Sequence, residues 1–120
     1  MLKKTGKKEN YQNESSKNIL KQIPSLKDVE FIHSEFDLLN IPQNSFVYCD
    51  PPYAKATKYH CEFDSDKFWN WVREKSETNT VIVSEYSAPD DFECIWEKEI
   101  SSVLSGSKKQ SVEKLFMKKA

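Results

Sequence analysis

The fold of this chain is decided by one stretch of its sequence, Phe46-Val47-Tyr48-Cys49-Asp50-Pro51-Pro52-Tyr53. The first four residues are apolar or aromatic, a composition that is typical of a β-strand. Pro51 and Pro52 each fix the backbone φ angle and remove an N–H donor, so the strand cannot continue past Asp50. The stretch therefore predicts a strand over residues 46–49 that ends in a rigid, kinked loop. In open α/β sheets, ligands bind at this end of the strands.

The chemical groups of this loop suit one kind of ligand. Asp50 offers a carboxylate, the prolines leave carbonyl oxygens with no neighbouring N–H competing for them, and Tyr53 offers a flat ring. Oxygen acceptors bind the N–H groups of an amine, and an aromatic ring stacks on a planar face. The loop therefore favours a planar ligand with an amino substituent, such as a nucleobase. The alternative is that Asp50 is an ordinary turn acid before two prolines.

The rest of the chain alternates helical and extended patterns. Ser15 and Ser16 predict the start of a short helix that Pro24 ends. A strand over 29–33, a turn or half-helix over 36–39 and the strand over 46–49 are predicted next, followed by a loop over 54–63. A helix is then predicted from Asp64 or Ser65 to about Glu77, with Phe68, Trp69, Trp71 and Val72 facing inward. The remaining predicted elements are a strand over 80–84, a turn over 89–91, and an antiparallel hairpin of strands 92–102 and 111–118. This order predicts an α/β fold. We expect a polar, disordered tail over residues 1–14 and one domain over residues 15–120.

Charge is distributed unevenly along the chain. Before Asp28 there are seven lysines and two glutamates, residues 28–104 hold sixteen acids and six bases, and from Ser105 onward there are five lysines and one glutamate. Both ends are therefore basic and the middle is acidic. The basic ends are either solvated termini or contacts to the phosphates of a nucleic acid.

The composition also bears on where the protein works. The three cysteines, Cys49, Cys61 and Cys94, are widely spaced and odd in number, which indicates reduced thiols rather than disulfides or a zinc site. The sequence has no apolar segment long enough to span a membrane, and no apolar signal-peptide region follows Met1. We therefore expect a cytoplasmic protein that binds no metal.

An ordered set of motifs resembles one enzyme family. The set consists of Tyr48-Cys49-Asp50-Pro51-Pro52-Tyr53, Tyr59, Phe63-Asp64, Phe68-Trp69, Val83-Ser84-Glu85-Tyr86-Ser87-Ala88-Pro89 and Glu113-Lys114-Leu115-Phe116. It is similar to the motifs of the Dam-like (D12 class) adenine-N6 DNA methyltransferases, over about residues 15 to 118. The resemblance implies site-specific methylation of DNA, of the restriction-modification or phage type. It also implies S-adenosyl-L-methionine as the methyl donor and a flipped adenine of double-stranded DNA as the substrate.

The resemblance also implies which residues form the site. The implied catalytic residues are Asp50, Pro51, Pro52 and Tyr53. The implied cofactor contacts are Glu35, Phe36, Asp37 and Asp50. The implied substrate contacts are Tyr53, Tyr59, Phe63, Ser84 and Tyr86. Outside the catalytic loop each assignment has a structural alternative. Glu35 could be a strand-end acid and Phe36 a core aromatic. Tyr59 and Phe63 could form a small packing cluster, and Ser84 and Tyr86 could be plain strand-end structure.

The glycine-rich turn with which the family holds its cofactor is missing from the sequence. The chain has two glycines, Gly6 and Gly106, and neither lies between a predicted strand and a helix. We therefore interpret residues 15–120 as the carboxyl-terminal part of a methyltransferase catalytic domain. This part would be a partial Rossmann-like sheet, with the later strands and the closing hairpin but without the amino-terminal cofactor-loop strand. Its cofactor site would be incomplete and the chain would be inactive alone.

This interpretation has a structural consequence and leaves alternatives. The sheet would expose its inner edge beside residues 46–49, which invites self-association or a partner strand. An upstream chain could supply the missing half and restore activity. The alternatives are a non-catalytic interaction or nucleic-acid-binding remnant of the fold, and a methyltransferase for another amine, such as an RNA base or a glutamine amide.

Overall fold

The computed structural model describes residues 13–52, 63–104 and 107–120, and it leaves the side chains of residues 102–109 undescribed. The chain divides into two compact units, Met1–Glu35 and Phe36–Ala120. In the described part of the first unit, residues 13–22 form helix α1, Ile23–Leu26 form a 3-10 turn, and residues 27–35 are irregular apart from a turn at 27–28. Residues 13 and 14, the last two of the predicted tail, are therefore helical.

Helix α1 ends as its sequence predicts. Pro24 lies in the first positions of the 3-10 turn, where its missing N–H cannot continue the i→i−4 hydrogen bonds of the preceding helix. The predicted start is wrong, because α1 already includes residue 13 and Ser15 and Ser16 lie inside it. Serine is tolerated at such exposed positions within a helix at a small cost in propensity.

The strand predicted over residues 29–33 is absent from the structure. These residues are irregular, and the apolar side chain of Phe31 is 79% exposed. β-propensity reflects packing on a pleated, half-buried surface rather than an intrinsic backbone preference. Among the described residues no other strand pairs with this segment, so its apolar side chains have no sheet to join.

Helix α2 spans Ser65–Lys75 in the second unit. Asp64 caps its first turn, since the carboxylate accepts a hydrogen bond of 3.0 Å from the backbone N–H of Lys67. The helix ends two residues before the predicted end, because the backbone N–H of Glu77 bonds to the carbonyl of Glu74 and tightens the last turn. The inward face is as predicted, with Phe68, Trp69, Trp71 and Val72 all buried.

Within the described residues, four strands form one sheet in the order β1-β2-β4-β3. Strands β1 (Phe46–Cys49) and β2 (Thr80–Ser84) are parallel, and both have the predicted bounds. Strands β3 (Phe92–Leu104) and β4 (Ser107–Lys118) form the predicted antiparallel hairpin, in which both strands are longer than predicted. The 3-10 turn Phe36–Leu38 and the turn before Phe92 are also confirmed. A mixed α/β fold with a four-stranded sheet is therefore confirmed.

The core lies between α2 and one face of the sheet. The buried apolar side chains of this layer are Phe68, Trp69, Trp71, Val72, Val81, Val83, Phe92 and Phe116. On the edge strand β1, Val47 and Cys49 pack against this core, whereas Phe46 is 68% and Tyr48 58% exposed. The alternation follows the period of two along a strand, so one face of β1 is covered and the other is not.

A polar contact joins α2 to the beginning of the hairpin. Arg73 donates two hydrogen bonds to Asp91, from Nε to Oδ2 at 2.6 Å and from Nη2 to Oδ1 at 2.8 Å. The guanidinium also lies 5.5 Å from the ring centre of Phe92. The two parallel bonds fix the fork of the arginine against the carboxylate. This contact therefore holds the helix in register with the first residue of β3.

Candidate active site

The carboxyl ends of β1 and β2 meet at one edge of the sheet. Cys49 pairs with Val83 in the parallel register, so Asp50, the next residue, comes beside Ser84. Asp50 is exposed, and Pro51 and Pro52 are half-buried. The chain leaves the sheet at Asp50, as the two prolines require. The predicted catalytic residues 50–52 therefore lie together at the sheet edge where ligands bind in open α/β folds.

The opposite end of β1 is anchored to β2 by side-chain and backbone hydrogen bonds. The backbone N–H of Ser45 donates to Oδ1 of Asn79 at 2.9 Å, and the N–H of Thr80 donates to the carbonyl of Ser45 at 3.0 Å. Asn44 adopts a positive φ of 63°, which asparagine tolerates, and donates to the carbonyl of Thr78 at 2.8 Å. These bonds fix where β1 starts, and hence how far along the sheet Asp50 lies.

Residues 84–86 form the second part of this edge. Ser84 is buried, and the backbone N–H of Glu85 donates to the carbonyl of Lys114 at 3.2 Å, which ties the end of β2 to β4. The Glu85 side chain turns back on its own backbone, because Oε1 accepts a 2.8 Å hydrogen bond from the N–H of Tyr86. Tyr86 is 36% exposed. The edge therefore combines a buried acid with a partly exposed aromatic next to Asp50.

Glu85 belongs to the segment 84–87 that the sequence predicts to line the pocket, although it is not among the implied substrate contacts. It is only 7% exposed, although glutamate is among the residues least often buried. The signal in the sequence is an acid placed directly after the buried strand 80–84, the same pattern as Asp50 after 46–49. Each acid thus directly follows its strand, but by the register Asp50 lies beside Ser84 and Glu85 is one residue further along; Asp50 is exposed and Glu85 is buried.

A cavity of about 230 Å³ lies where the end of β2 approaches the start of α2. Its lining residues are Ser65, Asp66, Trp69, Glu85, Ser87, Ala88 and Pro89. The volume is below the 300–1,000 Å³ that is typical of ligand pockets. The cavity therefore accommodates a small group and not a nucleobase together with a nucleoside cofactor.

The structure brings Phe36 and Phe63 together at the side of α2. Their ring centres are 6.2 Å apart, and Phe36 also packs edge-on against Phe68 and Trp71, at 5.6 and 5.4 Å. Asp37 forms an ion pair of 3.0 Å with Lys67 on α2. The ring of Phe36 therefore packs as a core aromatic does, while its assignment and that of Asp37 to a cofactor remain predictions.

Three predicted site residues are not among the described residues of the second unit. Glu35 is exposed and belongs to the first unit. Tyr53 and Tyr59 lie outside the described residues, together with Cys61 and most of the predicted loop over 54–63. Their roles remain predictions.

The thiol of Cys49, next to Asp50, is protonated at physiological pH. Burial raises the pKa of Cys49 to about 11, so the side chain is a neutral thiol at physiological pH. Within residues 13–52, 63–104 and 107–120, no three His, Cys, Asp or Glu side chains are grouped so that they could hold a metal ion. The described helices include none that is both long and apolar enough to cross a membrane. The roles of Asp50 and of the proline carbonyls at this edge remain predictions.

Comparisons with known proteins identify one related family. A family model described as D12 class N6 adenine-specific DNA methyltransferase matches residues 2–111 of the chain. The matched range includes Asp50, all of α2 and the strand β2 that borders it. No curated protein and no solved structure gave a significant match.

Proposed function

The chain belongs to the D12 class N6 adenine-specific DNA methyltransferase family, and we propose that it carries the amine-binding part of an S-adenosylmethionine-dependent active site. One observation supports this most strongly. Asp50-Pro51-Pro52 follows β1 directly and lies beside Ser84 at the carboxyl edge of two parallel strands. An acceptor carboxylate and a proline-flanked carbonyl are thereby held on a rigid backbone, where an exocyclic amine can be bound.

The chemistry proposed for Asp50 follows from the electronic structure of adenine. The N6 amine is a weak nucleophile, because its lone pair is delocalised into the ring. Hydrogen bonds from its two N–H groups to the Asp50 carboxylate and the Pro51 carbonyl favour tetrahedral nitrogen and free that lone pair. In this proposal Asp50 also stabilises the positive charge that develops on nitrogen and accepts the proton that nitrogen loses.

The adenine must leave the duplex to reach this edge, since its amine is paired inside the helix. We propose that Tyr53 stacks on the flipped base, with Tyr86 and Ser84 at the neighbouring strand end. Stacking of one base on an aromatic side chain contributes roughly 1–3 kcal/mol. The exposed position of Asp50 is compatible with a substrate of this size.

The cofactor would supply an electrophilic methyl group. The described residues fit it only in part, because the cavity beside Glu85 is too small for it. The sequence also has only two glycines, Gly6 and Gly106, and lacks the glycine-rich pattern of the family's cofactor turn. Phe36 and Asp37 would be its contacts within the second unit. We propose that an upstream segment or chain, with a glycine-rich turn, completes the cofactor site and that the 120 residues alone are inactive.

Complementation tests this proposal. The chain is mixed with the separately expressed amino-terminal half of a family member, and transfer of a labelled methyl group to duplex DNA is measured. We expect transfer from the mixture and none from either component. Failure with several such halves, each of which forms a complex with the chain, would contradict the proposal. It would favour the second candidate, a non-catalytic nucleic-acid-binding role, which is supported by the missing glycine turn.

A further inference from the structure

We propose that Glu85 is a positioning residue, whose buried side chain holds the backbone of Tyr86 so that the ring is presented to the flipped base. The proposal rests on the proposed function, because that function supplies the base. It adds a task for an acid that is not itself expected to contact the substrate.

Glu85 is buried in spite of its polar side chain. Only 7% of it is exposed, and a carboxyl group that loses its water on burial must be compensated by hydrogen bonds. One of these bonds is 2.8 Å long and runs from the backbone N–H of Tyr86 to Oε1 of Glu85. The side chain of Glu85 is thus coupled directly to the backbone of the next residue.

This hydrogen bond lies at the point where β2 ends. The backbone N–H of Glu85 donates to the carbonyl of Lys114 on β4, at 3.2 Å, and the chain bends at Tyr86 directly afterwards. A side chain that bonds to the backbone of a neighbouring residue offers that backbone an alternative to the hydrogen bonds of a sheet. Because the bond to Oε1 joins two successive residues, it restricts the backbone dihedral angles between them. Glu85 therefore determines the direction in which the chain enters Tyr86.

The segment around Tyr86 is anchored on both sides. Ser84 is buried and pairs with Leu115 of β4, and Ala88 packs against the core. Tyr86 itself is 36% exposed. An aromatic side chain on a fixed backbone loses less conformational entropy on binding than one on a free loop. The segment therefore presents a ring that is accessible and whose backbone is fixed in advance.

The parallel register brings this segment to the proposed amine-binding group. Asp50 lies beside Ser84, two residues before Tyr86. Glu85 lines the cavity between the end of β2 and the start of α2, where Trp69 forms part of the wall. Because Glu85 is buried in that wall and Tyr86 is exposed, a base whose amine binds Asp50 can reach Tyr86, whereas Glu85 acts only through it. Stacking depends on the position of the ring face, so a misplaced Tyr86 should weaken binding of the base.

A double-mutant cycle in the complemented enzyme tests the proposal, with the variants Glu85→Ala, Tyr86→Ala and the combination of both. Each single substitution should raise the KM for duplex DNA by about tenfold and change kcat little, because the stack binds substrate and transition state alike. The double variant should equal Tyr86→Ala, since Glu85 acts through that ring. Glu85→Gln keeps an oxygen acceptor for the N–H of Tyr86 and should retain the wild-type KM. The matched control is Val81→Ala, which shortens a buried side chain near the start of β2 and should lower stability without raising KM.

Amide hydrogen exchange of the 120-residue chain without its complement measures the contact itself. The Tyr86 amide of the wild type should exchange at least about tenfold more slowly than an unprotected amide, and free exchange would overturn the proposal even if Glu85→Ala did not fold. Non-additive losses in the cycle, with normal kinetics of Glu85→Gln, support it. Additive losses, an increase of KM in Val81→Ala equal to that in Glu85→Ala, an impaired Glu85→Gln or an unaffected Glu85→Ala would overturn it alone. A complemented wild type that transfers no methyl group would instead contradict the proposed function, and the positioning role with it.

Discussion

Asp50 lies beside Ser84 across two parallel strands, one residue past the pair formed by Cys49 and Val83. This relationship places a carboxylate that follows one strand next to the buried end of another, where Glu85 continues the chain. Because Ser45 and Asn79 fix the start of β1, a shift of one residue in this register would move Asp50 away from the edge and expose Val47 and Cys49. The register of β1 and β2 therefore determines the geometry of the proposed site.

Acid should weaken the contact between α2 and the hairpin. The hydrogen bonds from Arg73 lower the pKa of Asp91 from its usual 3.8 to about 2. Because the folded-state pKa is the lower one, the contact stabilises the fold fully above about pH 4 and is lost as the pH falls to about 2. Urea unfolding should show Asp91→Asn to be less stable than the wild type at neutral pH, with a difference that shrinks near pH 2.

The control for this experiment is Asp90→Asn. Asp90 is exposed and adjacent, and the hydrogen bond that Lys119 makes to it involves its backbone carbonyl. Asp90→Asn should leave the free energy of unfolding unchanged both at neutral pH and near pH 2. A stability difference for Asp91→Asn that is the same near pH 2 as at neutral pH would show that the ionised carboxylate is not its cause.

Phe68 should be essential for folding of the second unit. Its side chain is 3% exposed and packs against Phe36, Phe63, Trp69 and Trp71. Phe68→Ala should lower the free energy of unfolding by about 3–5 kcal/mol. Leu38→Ala, at a side chain that is 76% exposed, should change it by less than about 0.5 kcal/mol. Equal effects of the two substitutions in denaturant titrations would contradict the packing described here.

The exposed side of β1 should cause self-association. Within the described sheet β1 pairs on one side only, and its neighbouring side chains Phe46 and Tyr48 are largely exposed. Edge strands of this kind pair with other chains unless charge prevents it. Sedimentation of the wild type should show a mass that rises with concentration, and Phe46→Lys/Tyr48→Lys should sediment as a monomer. Leu38→Lys, away from the sheet edge, should behave as the wild type, and a wild type that remains monomeric would refute this expectation.

The chain alone should bind S-adenosylmethionine weakly or not at all. The reason is that the sequence offers no glycine-rich turn to bring a backbone close to the cofactor, and the cavity beside Glu85 holds only a small group. Isothermal calorimetry with the purified chain measures this directly. Micromolar affinity would show that the pocket is complete within these 120 residues and that no upstream segment is required.

The elements that the sequence predicts correctly are those that local patterns determine. The cap at Asp64, the inward face of α2 and the end of β1 before the two prolines each follow from neighbouring residues. Residues 29–33 have the same local β pattern as 46–49, yet they form no strand, because a strand also needs a partner that lies elsewhere in the chain. Local composition contains no information on whether that partner is present.

The candidate site, like the fold, was predictable only where local sequence determines it. The motif identifies Asp50, and the rule for parallel strands predicts that it meets the end of 80–84. It does not predict that Glu85 is buried and bonded to its own backbone, since the direction of that side chain depends on Lys114 and on the packing of the whole edge. The extension of the hairpin past this edge likewise depends on the register of β4 against β2.

The measurement that tests the central claim most directly is single-turnover methylation of duplex DNA by the complemented enzyme with Asp50→Ala. The loss of one preorganised hydrogen-bonding group typically raises the barrier by about 2.7–4 kcal/mol, so the rate should fall by about 10²- to 10³-fold while DNA binding is retained. Asp90→Ala, at the opposite edge of the sheet, should react at the wild-type rate. If Asp50→Ala also reacted at a near wild-type rate, Asp50 would be a turn residue and the amine-binding site proposed here would be wrong.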